Sequence, residues 1–105
     1  MIRLAKKASK KSNQKYKLGA AIVTNSRVLA VGYNTGKYSA KFGSGKYGKL
    51  HAEGSAIKNA IKSGHKDKLK GSTIFIYRRN SLLAWPCPDC LKLINKYEIG
   101  KIVST

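Results

Sequence analysis

Residues 18–33 read LGAAIVTNSRVLAVGY, two runs rich in β-branched and other apolar residues on either side of Asn25-Ser26. Leu18–Thr24 and Arg27–Tyr33 each have the composition of a β-strand. A two-residue connection of this type is typical of a β-hairpin. The sequence therefore predicts two antiparallel strands that are neighbours in one sheet.

The flanking sequence predicts helices and further strands around this hairpin. Residues 2–12 place small and apolar side chains on one helical face and lysines on the other. After the hairpin the patterns predict, in order, a long loop at Thr35–Lys49, a helix from His51 to Gly64, a strand at Thr73–Tyr77, a helix at Cys87–Tyr97 and a last strand at Lys101–Ser104. This order predicts an α/β fold, a mixed sheet of about four strands with helices on both faces.

The length of 105 residues is enough for one domain with a single core, so we treat residues 1–105 as one unit. The chain has only two cysteines, which excludes a disulfide framework and favours metal or redox chemistry in a reducing compartment. We therefore expect a cytoplasmic protein. The basic N-terminus has no apolar run that would make it a secretory signal or a membrane span, and it fits a first helix better than a transit peptide.

The charge of the chain is strongly positive. Lys and Arg number 22 against four Asp and Glu, giving a net charge of +18. Such a field attracts phosphates and favours contact with nucleic acid or an anionic membrane surface. Charge alone does not distinguish these partners.

Two short motifs carry the chemistry: His51-Ala52-Glu53, and Pro86-Cys87-Pro88-Asp89-Cys90. One imidazole and two thiolates can bind Zn²⁺ while leaving a fourth position open for water. His51, Cys87 and Cys90 are therefore the predicted zinc ligands, and Glu53 is the predicted proton shuttle. The predicted reaction is hydrolysis of an amino-substituted heterocycle with release of ammonia.

Two other interpretations of these motifs stay open. Cys87 and Cys90 alone would fit a thioredoxin-like redox pair. A structural zinc site could use His65 as its fourth ligand, although a histidine after Gly64 at a helix end is more simply an exposed residue.

With both motifs, the chain resembles the cytidine deaminase superfamily, whose pattern is His-x-Glu followed by Pro-Cys-x-x-Cys. The hairpin, with Gly32-Tyr33-Asn34 at its end, is similar to the first two strands of that family. The resemblance implies a three-layer cytidine-deaminase-like sandwich, a sugar contact from Asn34 and a base contact from the N–H of Ala52. Asn34 could instead simply begin a loop.

Two features depart from the family pattern. The sequence stops after the predicted fourth strand, where relatives usually continue, and the sheet edge left open there could be covered in a homo-oligomer. Gly54 follows the glutamate, although glycine is a poor helix former in a first turn. Neither departure removes a catalytic group.

The preferred substrate is cytosine in single-stranded DNA or RNA. The segment before the cysteines is similar to the Trp-bearing segment of polynucleotide cytidine deaminases, and Trp85 could stack on a flipped base or lie in the core. Lysines and aromatics interleave in the long loop, and two arginines follow the third strand, a mixture suited to single strands. The predicted nucleic-acid contacts are Lys37, Tyr38, Lys41, Phe42, Lys46, Tyr47, Lys49, Arg78 and Arg79.

Two alternatives compete with this interpretation. A deaminase of free deoxycytidylate or cytidine would need only one or two basic residues for a phosphate, the other charges forming a solvated face. A non-catalytic basic nucleic-acid-binding protein with a structural zinc would have no use for Glu53.

Overall fold

The computed structural model describes residues 2–14, 17–37, 39, 41–43, 50–78 and 88–104. In chain order the elements are α1 (Ile2–Ser9), β1 (Leu18–Thr24), β2 (Arg27–Tyr33), α2 (Ala52–Lys62), a 3-10 helix (Lys66–Lys68), β3 (Thr73–Arg78), α3 (Pro88–Lys96) and β4 (Lys101–Ser104). The predicted order of helices and strands is confirmed. Within this part of the chain, no helix has the length and apolar character needed to cross a membrane.

The hairpin forms as predicted. Thr24 pairs with Arg27, and Asn25 and Ser26 have φ angles of 48° and 63°. Positive φ at both central residues is the type I′ pattern, whose twist matches that of the two strands. Thr24–Arg27 is therefore a tight and well-defined turn.

The strands form one mixed sheet in the order β2-β1-β3-β4. β1 pairs antiparallel with both β2 and β3, whereas β3 and β4 run parallel. The parallel pair needs a crossover connection, which contains α3. The predicted mixed sheet of four strands is confirmed.

The first two helices cover opposite faces of the sheet. Gly19 lies directly against Ala5 of α1, while Gly32 lies against Ala56 of α2. Gly32 pairs with Ala20, the neighbour of Gly19, and consecutive residues of a strand face opposite sides. α3 contacts α2, so the described elements form three layers, a helix, the sheet and two helices.

The main core lies between the sheet and α2 and α3. Its largest fully buried side chains are aliphatic: Ile22, Ile57, Leu69, Ile74, Ile76 and Ile94. The apolar face predicted for the helix after His51 is confirmed by the burial of Ala56, Ile57 and Ala60. That helix ends at Lys62, two residues before Gly64, whose φ of +83° stops further helical winding.

The first helix is shorter than its apolar stripe predicts. Ser9, its last residue, donates its hydroxyl to the carbonyl of Lys6 at 2.6 Å. Ser12 is buried outside the helix, where its hydroxyl donates to the carbonyl of Asn34 at 2.9 Å. Ser12 therefore joins the segment after α1 to the end of β2.

Candidate active site

His51 and Cys90 come together at the N-terminal ends of two helices. His51 is the N-cap residue of α2, with φ −79° and ψ 168°, so it immediately precedes the helix rather than lying in its first turn. Cys90 lies in the first turn of α3 and is fully buried. The Sγ atom of Cys90 lies 3.4 Å from Nδ1 of His51. The two motifs, separated along the sequence, thus share one site.

The separation of these two atoms fits a shared zinc ion. Zn–S and Zn–N bonds of about 2.3 and 2.1 Å at a tetrahedral angle put sulfur and nitrogen about 3.6 Å apart. The remaining predicted ligand, Cys87, lies outside the described residues, as does Pro86. Within the described ranges no three His, Cys, Asp or Glu side chains lie close enough together to hold a metal ion.

Glu53 lies in the first turn of α2 and is buried, with 3% of its surface exposed. Its Oε1 atom has no hydrogen-bond partner among the residues that the structure describes. Burying a carboxylate oxygen without a partner is costly, and most buried polar atoms are paired. An unpaired buried acceptor two residues from His51 is what a site that binds water and substrate would require.

The backbone before α2 is held by the end of the hairpin. The N–H of Thr35 donates to the carbonyl of Leu50 at 2.9 Å, and the N–H of Leu50 donates to the carbonyl of Lys37 at 3.0 Å. Leu50 precedes His51, and the carbonyl of His51 accepts the N–H of Ser55 at 2.9 Å. The segment after β2 therefore fixes the position of the histidine.

Packing explains why a glycine stands at position 54, although glycine is a poor helix former. A Cβ atom built at Gly54 would lie 2.3 Å from the carbonyl oxygen of Phe42, closer than real contacts allow. The chain around Phe42 therefore crosses α2 directly beside Glu53. The glycine that departs from the family pattern permits this close approach.

Phe42 does not have the predicted role of an exposed ring that stacks on bases. It is 7% exposed and belongs to the core between sheet and helices. The ammonium group of Lys41 lies 5.4 Å from the centre of its ring. The prediction for Phe42 is corrected by its burial: the spacing of aromatics in a loop did not distinguish a core anchor from a stacking platform.

Asn34 is fixed at the end of β2. Its side-chain Oδ1 accepts the N–H of Leu18 at 2.9 Å, and its backbone carbonyl accepts the hydroxyl of Ser12. Its predicted contact with a sugar stays a prediction. Ala52 is fully buried, and the predicted contact of its N–H with a base also stays a prediction.

The predicted nucleic-acid contacts are only partly placed. Lys37 and Lys41 are exposed, and Arg78 pairs with Leu18 at the same end of the sheet as Asn34. The other predicted site residues lie outside the described residues: Tyr38, Lys46, Tyr47, Lys49, Arg79 and Trp85. Their roles stay predictions.

His65 lies at the wrong end of α2 to complete the metal site. α2 has 11 residues and is about 16 Å long, with His51 before its first residue and His65 beyond its last. The structural-zinc alternative that used His65 together with His51 is thus excluded by distance.

An open pocket of about 350 Å³ adjoins Asn34. Its lining is polar and basic and comes from the chain after α1 and from the end of β2: Lys11, Asn13, Gln14, Tyr33, Thr35, Gly36 and Lys37. Of these residues the sequence patterns indicated only Lys37. Lys11 has no distinguishing signal among so many lysines, because its place beside Lys37 depends on the fold.

Comparison with known proteins supports the resemblance to the cytidine deaminase superfamily. The apo dCMP deaminase from the cyanophage S-TIM5 is 30% identical, with a TM-score of 0.74 over 98% of this chain and 77% of that chain. The same enzyme in complex with dCMP and dUMP is 29% identical, with a TM-score of 0.73 over 98% and 76% of the two chains. The fold is also that of the cytidine deaminase from Burkholderia pseudomallei, at 23% identity and a TM-score of 0.72 over 99% and 82%.

No curated protein sequence matches the chain. The family model described as the cytidine and deoxycytidylate deaminase zinc-binding region matches residues 1–105. That match covers the hairpin, both motifs and every described element. The chain therefore belongs to the cytidine and deoxycytidylate deaminase family.

Proposed function

We propose that this protein is a zinc-dependent hydrolase that converts the cytosine of a phosphate-bearing substrate to uracil and releases ammonia. The observation that carries the proposal is the buried Glu53 carboxylate, whose Oε1 atom lacks a described partner, two residues from the His51–Cys90 pair. A binding module gains nothing from such a carboxylate, which costs stability. A hydrolase needs it to move protons.

His51, Cys87 and Cys90 are the residues that would hold the metal. When bound there, Zn²⁺ would supply the Lewis acidity that activates water for hydrolysis near neutral pH. Glu53 is placed to accept a proton from water, to donate one to the ring nitrogen and to supply one to the departing amine. Cytosine and water thereby give uracil and ammonia, with atoms and charge balanced.

Although the sequence patterns favour cytosine in a single strand, we now prefer deoxycytidylate or a close analogue as the substrate. The relative from cyanophage S-TIM5 is a dCMP deaminase that was crystallised with dCMP and dUMP. In this chain Lys11 and Lys37 line the open pocket beside Asn34, where a phosphate attached to the sugar would find two ammonium groups. A nucleoside without phosphate would leave that pocket unused.

Cytosine in a single strand is the second candidate. A net charge of +18 greatly exceeds what one phosphate requires. Lys37 and Lys41 are exposed, and Arg78 pairs with Leu18 at the Asn34 end of the sheet. The strand contacts proposed for the basic and aromatic residues of the long loop are kept, except that of Phe42. We also retain the proposals of a cytoplasmic location and of a homo-oligomer.

One experiment separates the substrates. Zinc-loaded protein is incubated with dCMP, cytidine and a cytosine-containing single-stranded oligonucleotide, at low and moderate salt, and uracil is quantified. Conversion of dCMP above the other two supports the nucleotide enzyme, while conversion of the oligonucleotide with a steep loss in salt supports the polynucleotide enzyme. Absence of conversion of all three would overturn the proposed function.

A further inference from the structure

A second basic pocket lies away from the active site. It is open, has a volume of about 420 Å³, and is formed between the hairpin turn and the segment after α2. We call it the Arg27 pocket; its lining residues are Thr24, Asn25, Arg27, Lys68 and Lys70. It thus combines three cations with a hydroxyl and an amide.

The backbone on both sides of the Arg27 pocket is firmly held. On one side is the type I′ turn, paired between Thr24 and Arg27. On the other side Lys68 and Lys70 flank Leu69, which is fully buried in the core. The N–H of Lys68 donates to the carbonyl of His65 at 3.0 Å, and the buried hydroxyl of Ser72 donates to that of Leu69 at 2.6 Å. The cations therefore project from fixed positions.

The positive charge of this pocket is little compensated. Among the residues that the structure describes, no acidic side chain lines it. The carboxylate of Glu98 lies 4.0 Å from the ammonium of Lys70, but the two side chains are 64% and 76% exposed, so this pair contributes little. Asp67 precedes Lys68 on the exposed 3-10 helix and does not line the pocket. Three cations whose described acidic partner is one exposed carboxylate, that of Glu98, favour an anion between them.

The Arg27 pocket is distant from the catalytic residues. β1 has seven residues, so its two ends are about 20 Å apart, with Leu18 at the Asn34 end and Thr24 at the pocket. α2 likewise begins after His51 and ends before the segment that contains Lys68. A substrate base at Glu53 and its own phosphate do not reach this pocket.

We propose that the Arg27 pocket binds a phosphate group that does not belong to the nucleotide being deaminated. The planar guanidinium of Arg27 can contact two phosphate oxygens at once, and Lys68 and Lys70 add charge from the opposite side. The phosphate comes either from the backbone of a bound nucleic-acid strand or from a free polyphosphate. The pocket accepts the same chemical group in both cases.

The test compares two triple variants of the whole, zinc-loaded chain with the same loss of charge. One replaces Arg27, Lys68 and Lys70 with Gln; the control replaces the exposed Lys7, Lys58 and Lys92, which lie on three different helices. Binding of a fluorescent oligodeoxythymidylate, which contains no cytosine, and of inorganic tripolyphosphate is measured for each, together with dCMP deamination. A further variant, Arg27→Lys, keeps the charge but removes the bidentate contact.

We expect the pocket variant to lose at least about tenfold more affinity than the control for one of the two ligands. Loss for the oligonucleotide alone identifies a strand as the source, and loss for tripolyphosphate identifies a free anion. Arg27→Lys should show part of that loss. Equal loss in both triple variants, or no binding of either ligand by the unaltered chain, would overturn the proposal. Deamination of dCMP should be unchanged by the pocket variant, so failure of the proposed function would appear separately.

Discussion

Cys90 and His51 are 39 positions apart in the sequence, yet Sγ of the cysteine lies 3.4 Å from Nδ1 of the histidine. Each residue is held by the start of a helix, α3 for Cys90 and α2 for His51. Both side chains therefore lie where a helix N-terminus presents partial positive charge. The proposed metal site thus depends on how these two helices pack together.

Replacement of His51 by Ala should abolish zinc binding. The chain has one other histidine, His65, at the far end of α2, which makes His65→Ala a matched control. Metal content after dialysis, measured by mass spectrometry, should fall to background in the first variant and stay at the level of the unaltered protein in the second. Retention of zinc by His51→Ala would contradict the assignment of this ligand.

Glu53→Gln should lower kcat by about 10²–10⁴-fold, because the amide cannot accept a proton from water. Since Oε1 of Glu53 has no described hydrogen-bond partner and the side chain is buried, removing the charge should not lower the free energy of unfolding. Deamination rates, zinc content and thermal unfolding are measured together. Activity that persists in this variant with bound zinc would show that another group moves the proton.

Gly54→Ala should destabilise the protein, even though Ala is normally the better helix former. The added methyl group would collide with the carbonyl oxygen of Phe42, which a Cβ would approach to 2.3 Å. Overpacking of this kind costs about 1–3 kcal/mol. Urea unfolding measures the change, and Lys58→Ala, at an exposed position of the same helix, should be neutral or slightly stabilising. A stabilised Gly54→Ala variant would mean that the two segments are not in contact.

Removing the charges of Lys11 and Lys37 together should weaken binding of the nucleotide and not of the nucleoside. Both residues line the pocket beside Asn34, and a hydrogen bond to a charged group contributes about 1.5–3 kcal/mol. The variant Lys11→Gln/Lys37→Gln should therefore raise KM for dCMP by about tenfold or more and leave KM for cytidine unchanged. The control is the variant Lys7→Gln/Lys58→Gln, which removes the same number of positive charges. An equal rise in KM for dCMP and for cytidine would mean that the phosphate binds elsewhere than at these two lysines.

Local sequence was sufficient for most of the elements. The hairpin at 18–33 depends on two β-forming runs and a two-residue turn, and it forms with the expected ends. The amphipathic helix after His51 and the helix that begins at Pro88 follow from their apolar periodicity. The zinc ligands and Glu53 could be proposed from the sequence because a catalytic zinc site requires a particular number and type of ligands. The spacing of the two motifs shows those residue types directly.

The tertiary structure decided what depends on contacts between distant segments. Burial of Phe42 follows from its crossing over α2 at Gly54, which no periodicity in the loop could reveal. Lys11 and Lys37 share a pocket only because the end of α1 lies beside the end of β2, and Arg27 meets Lys68 and Lys70 only because the hairpin turn faces the segment after α2. With 22 Lys and Arg in the chain, composition predicts attraction to phosphate, but only packing selects which few cations converge on one.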